Sequence, residues 1–400
     1  MTLKFKWKTE FKETGIGEIP RDWEVRKIGD IIKIKYGKGL PSKNRKEGNV
    51  PVFGSSGVVG YHNSFVAKGP GLIIGRKGNI GSVYLSKTNF FPIDTVFYAE
   101  EVNDAHFMYY LLSQVNLQQL MSDSAVPGLN INFLKSVFIP YPPPPEQSRI
   151  ATVLSWFDDL IENKKRQNEI LEKVAMAIFK SWFVDFEPFK DEEFVYNEEL
   201  GKEIPKGWEV DSTTRIIDFN PPLGLKRGKE YPFVEMKHVS TNSAVCDFDY
   251  KEFIGSGVKY RGGDTLMARI TPSLEHGKTA YVWFISEKEN GFGTTEFFVL
   301  HPKKVYLKEF TYLFTKSDDF RDVAINSMTG TSGRQRADIN ALKNFLIPIP
   351  PQPILEQFHS LVEPLFQKII LNQKQIMVLR KIRDALLPQL VFGKLRVVEL

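Results

Sequence analysis

The sequence predicts an α+β chain in which two pseudo-symmetric α/β domains are separated by two long antiparallel helices packed as a coiled coil. Three observations predict this. A proline run followed by a long helical pattern occurs twice, over residues 139–183 (IPYPPPPEQSRIATVLSWFDDLIENKKRQNEILEKVAMAIFKSWF) and again over residues 347–392. The phrase INFLKSVFIP at Ile131–Pro140 returns 208 residues later as INALKNFLIP at Ile339–Pro348. GEIPRDWEV at Gly17–Val25 returns as KEIPKGWEV at Lys202–Val210, offset by 185. Two units, rather than many, make a pseudo-two-fold object and not a solenoid.

The helices come first in the argument. A proline run cannot be helix interior, so each helix is expected to start sharply near Glu146 or Glu356. In the first, Phe157, Ile161, Lys164, Asn168, Leu171, Ala175, Ile178 and Trp182 recur at alternating steps of four and three. At 208 residues further on stand Leu365, Ile369, Asn372, Ile376, Leu379, Arg383, Leu386 and Leu390. Such spacing is that of two helices packed along their length. Roughly 38 residues would make a rod of about 57 Å. A pseudo-two-fold relating sequential halves reverses the helix directions, so the pair is expected to be antiparallel. Its apolar seam is assigned to Phe157, Ile161, Leu171 and Ile178 against Leu365, Ile369, Leu379 and Leu386.

The expected boundaries are a domain over 1–145, a spacer helix region over 146–190, a second domain over 191–355 and a second spacer over 356–400. Between the fixed phrases the offset drifts. Gly75-Arg76 aligns with Ala268-Arg269, Asp94-Thr95 with Thr294-Thr295, and FMYYLLS at Phe107 with FTYLFTK at Phe310. Fixed ends with drifting middles mean a duplication whose loops diverged. Glycine-punctuated β-rich runs (Gly71–Leu85, Ile93–Ala99, Thr265–Ile270, Thr279–Ser286) and apolar residues at helical spacing over Ala105–Ser122, with Leu120 among them, give each domain mixed α and β character.

Composition bounds the class. Across 400 residues, 42% hydrophobic and 25% charged residues suit a soluble protein of more than one domain. The single cysteine, Cys246, excludes an internal disulfide and a thiolate metal cluster and fits the cytoplasm. Lysines interrupt the apolar residues of the N-terminus, and no apolar run reaches the ~18 residues that span a bilayer, so no membrane association is expected. The net charge is +5, but residues 1–50 hold 13 Lys/Arg against 7 Asp/Glu, whereas residues 191–355 hold 21 against 24. Basic character is therefore local.

Catalytic chemistry is mostly missing. Asn220-Pro221-Pro222 begins the motif by which amino-methyltransferases hold an amine, but Leu223 stands where an aromatic should stack on the base. GPGLIIGRKG lacks the Gly-Lys-Ser/Thr of a phosphate loop. Asp249-Tyr250-Lys251 and Glu10-Phe11-Lys12 match only half of a nuclease site, and the six histidines (His62, His106, His238, His276, His301, His359) are scattered. No cofactor and no metal are expected. What remains are loops in which glycine lets backbone approach phosphate while basic and hydroxyl side chains reach phosphates and base edges. In the first domain these are Lys35, Lys38, Lys43, Arg45 and Lys46, then Ser55, Ser56 and Tyr61, then Arg76 and Lys77. In the second they are Lys226, Arg227 and Lys229, then Arg269, Thr271 and Ser273, then Arg334 and Arg336 in TGTSGRQR. Double-stranded DNA is the expected ligand.

The doubled phrases, in the order domain, proline–Glu-Gln–helix, Ile-Pro-x-x-Trp-Glu, domain, proline–Glu-Gln–helix, resemble the specificity subunit of type I restriction-modification systems over essentially the whole chain. RKGNIGSVY at Arg76 and MARITPSLEHGKTA at Met267 look like that family's target-recognition domains. The resemblance implies a non-catalytic subunit whose two recognition domains each read half of a bipartite asymmetric site, with the helices as a ruler. It also implies two N6-adenine methyltransferase subunits and motor-nuclease subunits as partners. The alternative from the residues is a self-contained DNA methyltransferase or nuclease.

Overall fold

The computed structural model describes residues 3–7, 10–100, 102–120, 128–331 and 333–399, and leaves the side chains of Leu120 and Glu399 undescribed. The end of the Ala105–Ser122 helical pattern and Ser332 of the TGTSGRQR loop lie outside the described residues. The chain divides into two compact units, the first made of residues 1–161 with 378–400, the second of residues 162–377.

Both long helices form, as Pro144–Phe183 and Gln352–Val391, 40 residues each. They begin slightly before Glu146 and Glu356 because first-turn N–H groups have no intrahelical acceptor, so Pro144, Pro145 and Pro353 fit there. Each unit contains part of each helix. In the second unit, Asn372 Nδ2 donates to Asn168 Oδ1 at 2.9 Å, while Phe358 lies against Phe183 with ring centroids 4.8 Å apart. Rising numbers in one helix thus meet falling numbers in the other. The first unit repeats the sense: Arg383 Nη1 donates to Asp158 Oδ1 at 2.6 Å, and Ile150 and Leu154 share a core with Leu390 and Val391. The packing is antiparallel.

The buried stripe is wider than a two-helix seam. Ile161, Ala175, Ile369, Ile376 and Leu390 are buried, while Phe157, Leu171, Ile178, Leu365, Leu379 and Leu386 are half-buried. Phe179, Phe183, Phe358 and Phe366, just off the heptad positions, are buried instead. Each helix packs on the α/β domain beside it as well as on its partner, and a helix facing two neighbours needs a broader apolar arc.

Alternating apolar strands build the same sheet twice. In the first unit an antiparallel sheet runs Ile34–Tyr36, Val96–Ala99, Gly71–Gly75, Val83–Ser86, covered by helix Ala105–Gln114. In the second the order is Ile217–Phe219, Phe297–Pro302, Thr265–Ala268, Thr279–Tyr281, with helix Lys308–Lys316. The Ala105 helix is shorter than its apolar spacing suggests. Asp104 caps its start by accepting from Phe107 N–H at 2.9 Å, but Val115 takes an extended conformation and ends it. A β-branched residue favours that backbone. Strand register also corrects one alignment: Val96 opposes Gly75 and Phe297 opposes Ala268, so Thr95 corresponds to Glu296 rather than to Thr295. The second unit's extra length lies in its other sheet, Asp249–Glu252, Glu230–Val234, Asn290–Gly293, Val258–Arg261. Among the described residues the matching sheet of the first unit has Phe91–Pro92, Val50–Gly54 and Gly57–His62.

The doubled phrases turn out to be pairing partners. Glu24–Lys27 pairs with Phe138–Tyr141, and Glu209–Ser212 pairs with Leu346–Ile349, so each Trp-Glu strand is hydrogen-bonded to the strand that follows an Ile-Asn helix.

One contact gives the second unit a pH dependence. His359 Nδ1 lies 2.7 Å from Glu309 Oε2, and this bond, against the desolvation of partial burial, holds the imidazolium above its ordinary pKa of 6.5, with Glu363 adding attraction and Lys308 opposing it. A raised folded-state value means stabilisation present below the unfolded pKa and lost as pH rises through the folded one. The stability difference between parent and H359Q in urea unfolding should be largest below pH 6.5 and shrink above it. A difference that stays flat or grows with pH would contradict the assignment.

Candidate nucleic-acid interface

Cationic and hydroxyl side chains form a nucleic-acid surface only where the fold gathers them and leaves their donors unengaged. In the first unit, Lys38, Lys43, Lys46, Ser56, Tyr61 and Lys77 are exposed. Lys35 is paired with Glu100, whose carboxyl it holds below the usual range. Arg45 is structural in its contacts: it donates to the Val59 carbonyl and covers Gly60, where a Cβ would come within 2.6 Å of its Nη1. Lys46 N–H donates to His62 Nδ1 at 3.0 Å, so the basic loop is tied to the strand Gly57–His62 that carries Tyr61.

Thr95 gathers a second group. Its hydroxyl accepts from Ser55 N–H at 3.3 Å, and its carbonyl accepts from Arg76 N–H at 2.9 Å and Lys77 N–H at 3.1 Å. The Arg76 guanidinium lies 5.0 Å from the Tyr36 ring centroid and 5.8 Å from that of Phe97. Tyr36, 52% exposed, was not among the sequence candidates, although the Ile-Lys-Tyr alternation marks it as a strand-end residue.

Glu296 plays the gathering role in the second unit. Its carbonyl accepts from Arg269 N–H at 2.9 Å, and its carboxylate takes Arg336 in a two-pronged bond, Nε at 2.9 Å and Nη2 at 2.6 Å. That pairing holds the Glu296 carboxyl low. Thr271 N–H donates to the Gln335 carbonyl at 3.0 Å, which brings 269–273 and 334–336 together. Arg334 is exposed, and Ser273 is half-buried. Lys226, Arg227 and Lys229 sit on a separate loop, where Lys226 and Lys229 are exposed and Arg227 Nε donates to the Ile254 carbonyl at 2.9 Å.

A family model described as the type I restriction modification DNA specificity domain matches residues 20–173 and 209–381, a matched segment for each half of the repeat. The chain belongs to the type I restriction-modification specificity subunits. It is 39% identical to the type I restriction enzyme MjaIX specificity subunit of Methanocaldococcus jannaschii, over 100% of this chain and 99% of that one. It is 24% identical to the MjaVIII specificity subunit of the same organism over 99% and 98% of the two chains. The fold is similar to the crystal structure of the S subunit from M. genitalium, with TM-score 0.56 and 20% identity over 92% of this chain and 96% of that one.

For a specificity subunit the stray enzyme-like motifs have ordinary explanations. Asn220 donates its N–H to the Val299 carbonyl at 2.7 Å and accepts from Val299 N–H through Oδ1 at 2.8 Å, so its side chain finishes a strand edge rather than facing a base. Lys251 pairs with Glu235 on the exposed strand Asp249–Glu252. Among the described residues no three His, Cys, Asp or Glu side chains are grouped to hold a metal ion.

The division between structural and exposed cations is testable. R45A removes a charged donor from a partly buried carbonyl and should cost about 1–3 kcal/mol in urea unfolding. K43A, on a solvated side chain, should stay within about 0.5 kcal/mol of the parent. Equal destabilisation by both would contradict the assignment.

Proposed function

We propose that this specificity subunit reads a bipartite asymmetric DNA site and directs the methyltransferase and restriction subunits of a type I complex to it, without performing catalysis itself. The observation that carries the reading is the repeated sheet, which in each unit ends in an arginine-bearing loop joined by backbone bonds to a polar partner, Thr95 or Glu296. Two such surfaces on one chain suit two half-sites of different sequence, because the sheets are equivalent while the side chains around them differ.

In this reading residues 1–145 and 191–355 are the target-recognition domains, and 146–190 and 356–400 are the spacers. The partners are double-stranded DNA, two methyltransferase subunits and motor-nuclease subunits, and the chain holds no cofactor of its own. Among the described residues no helix is long and apolar enough to cross a membrane, and a DNA-reading complex belongs in the cytoplasm.

Mapping methylated adenines in DNA from cells expressing the chain with its cognate methyltransferase tests the proposal. Parent cells should carry one two-part motif. Exchanging residues 26–130 for the matching region of a relative should change one half of it and leave the other intact. Changes in both halves, or methylation without any two-part motif, would overturn the reading. An isolated chain that binds S-adenosylmethionine would favour a self-contained methyltransferase instead.

A further inference from the structure

We infer that Arg76 and Arg269 are equivalent base-reading residues, each specifying a guanine in its own half-site; the inference rests on the DNA-reading function above. The equivalence is fixed by the backbone rather than by sequence alignment alone. Each arginine directly follows the second of two paired central strands, Gly71–Gly75 or Thr265–Ala268. Each donates its N–H across to the residue that precedes the partner strand, Thr95 or Glu296, at 2.9 Å. Each accepts at its carbonyl from the residue leading into an Ile-Asn helix, Leu129 N–H at 3.0 Å or Ala337 N–H at 2.9 Å. Leu129 and Ala337 are separated by the same 208 residues that separate those helices.

The side chains share a ring at the same register, although Arg76 Nη1 also donates to the Asp94 carbonyl at 3.3 Å. The Arg76 guanidinium lies over Phe97, and the Arg269 guanidinium lies 4.8 Å from the ring centroid of Phe298. Phe97 opposes Ile74 and Phe298 opposes Met267, in each case two residues before the arginine, so the same register places the same ring under the same cation. Held at both backbone groups and by a ring face, the guanidinium loses little freedom on binding, and a planar fork is the group that matches guanine O6 and N7. Charge alone would not require this arrangement, since an exposed lysine serves a phosphate equally well. In the second unit Arg269 Nε and the neighbouring Thr271 Oγ1 are buried without a hydrogen-bond partner.

Arginine-to-lysine substitution separates the two roles, because lysine keeps the charge and loses the fork. The assay is methylation of a library with randomised half-sites by the full complex of this chain with its methyltransferase subunits. R76K should relax one base pair of one half-site, lowering discrimination there by roughly 10- to 100-fold, and leave the other half unchanged. R269K should do the same in the other half. A parent motif that lacks a G·C pair in either half overturns the assignment while leaving the DNA-reading function standing. Variants that keep the full parental motif, or that relax both halves together, also overturn it. R76Q and R269Q guard against a folding effect: if the lysine and glutamine variants all lose the parental melting transition, these arginines are core supports and not readers.

Discussion

Each unit rests on an antiparallel pairing of two helix segments, and two buried amides set where that pairing falls. Apolar stripes by themselves tolerate a slide of one helical turn, since one leucine or phenylalanine replaces another. Asn168 and Asn372 do not tolerate it. Both are almost fully buried, and the Asn372 amide donates to Asn168 at 2.9 Å. A slide would part those amides and leave them unpaired in an apolar setting, which is costly.

In each unit a carboxylate on the first long helix, buried in Glu172 and half-buried in Asp158, ties the helix pair to the α/β domain. In the second unit Glu172 Oε1 accepts from Tyr312 Oη and from Lys316 Nζ, both at 2.6 Å. In the first, Asp158 accepts from Tyr110 Oη at 2.6 Å on one oxygen and from Arg383 at 2.6 Å on the other. Removing one member of such a group strands the rest in low dielectric, so these ties set orientation more than they add net stability. The tryptophan of each Ile-Pro-x-x-Trp-Glu phrase completes the join in a different way. Trp23 donates through Nε1 to Glu146 Oε2 at 3.0 Å, Arg396 binds that same carboxylate, and the strand carrying Arg396 pairs with Leu3–Lys6. Trp208 instead packs on Phe183, Phe186 and Phe189 at the exit of the first helix, and Glu356 is exposed. One duplicated phrase thus serves a polar junction in one unit and an aromatic one in the other.

Much of this was legible in the sequence because duplication shows itself twice. The 208-residue repeat located both helices and both Ile-Asn phrases, and the drifting alignment between the fixed phrases still paired Arg76 with Arg269, 193 residues on. What could not be read depended on partners distant in the chain. Lys35, Arg45, Arg227 and Arg336 look like free basic residues in their loops, and only the fold shows Glu100, Val59, Ile254 and Glu296 meeting them. The Thr95–Glu296 equivalence was missed by one residue because glycine- and threonine-rich loops align equally well at neighbouring offsets, whereas strand register does not. The breadth of the helix stripe was missed because a heptad count assumes one neighbour, and these helices have two.

The most direct test of this account measures helix direction and register inside the second unit. Spin labels on cysteines introduced at the exposed positions Glu169 and Leu371 lie beside the Asn168–Asn372 pair and should give a short distance by pulsed dipolar spectroscopy. Labels at Glu169 and Leu361 should be farther apart, since ten residues of helix add about 15 Å along the axis. A short 169–371 distance with a clearly longer 169–361 distance is the predicted result. Equal distances, or the reverse order, would contradict the antiparallel register on which both units depend.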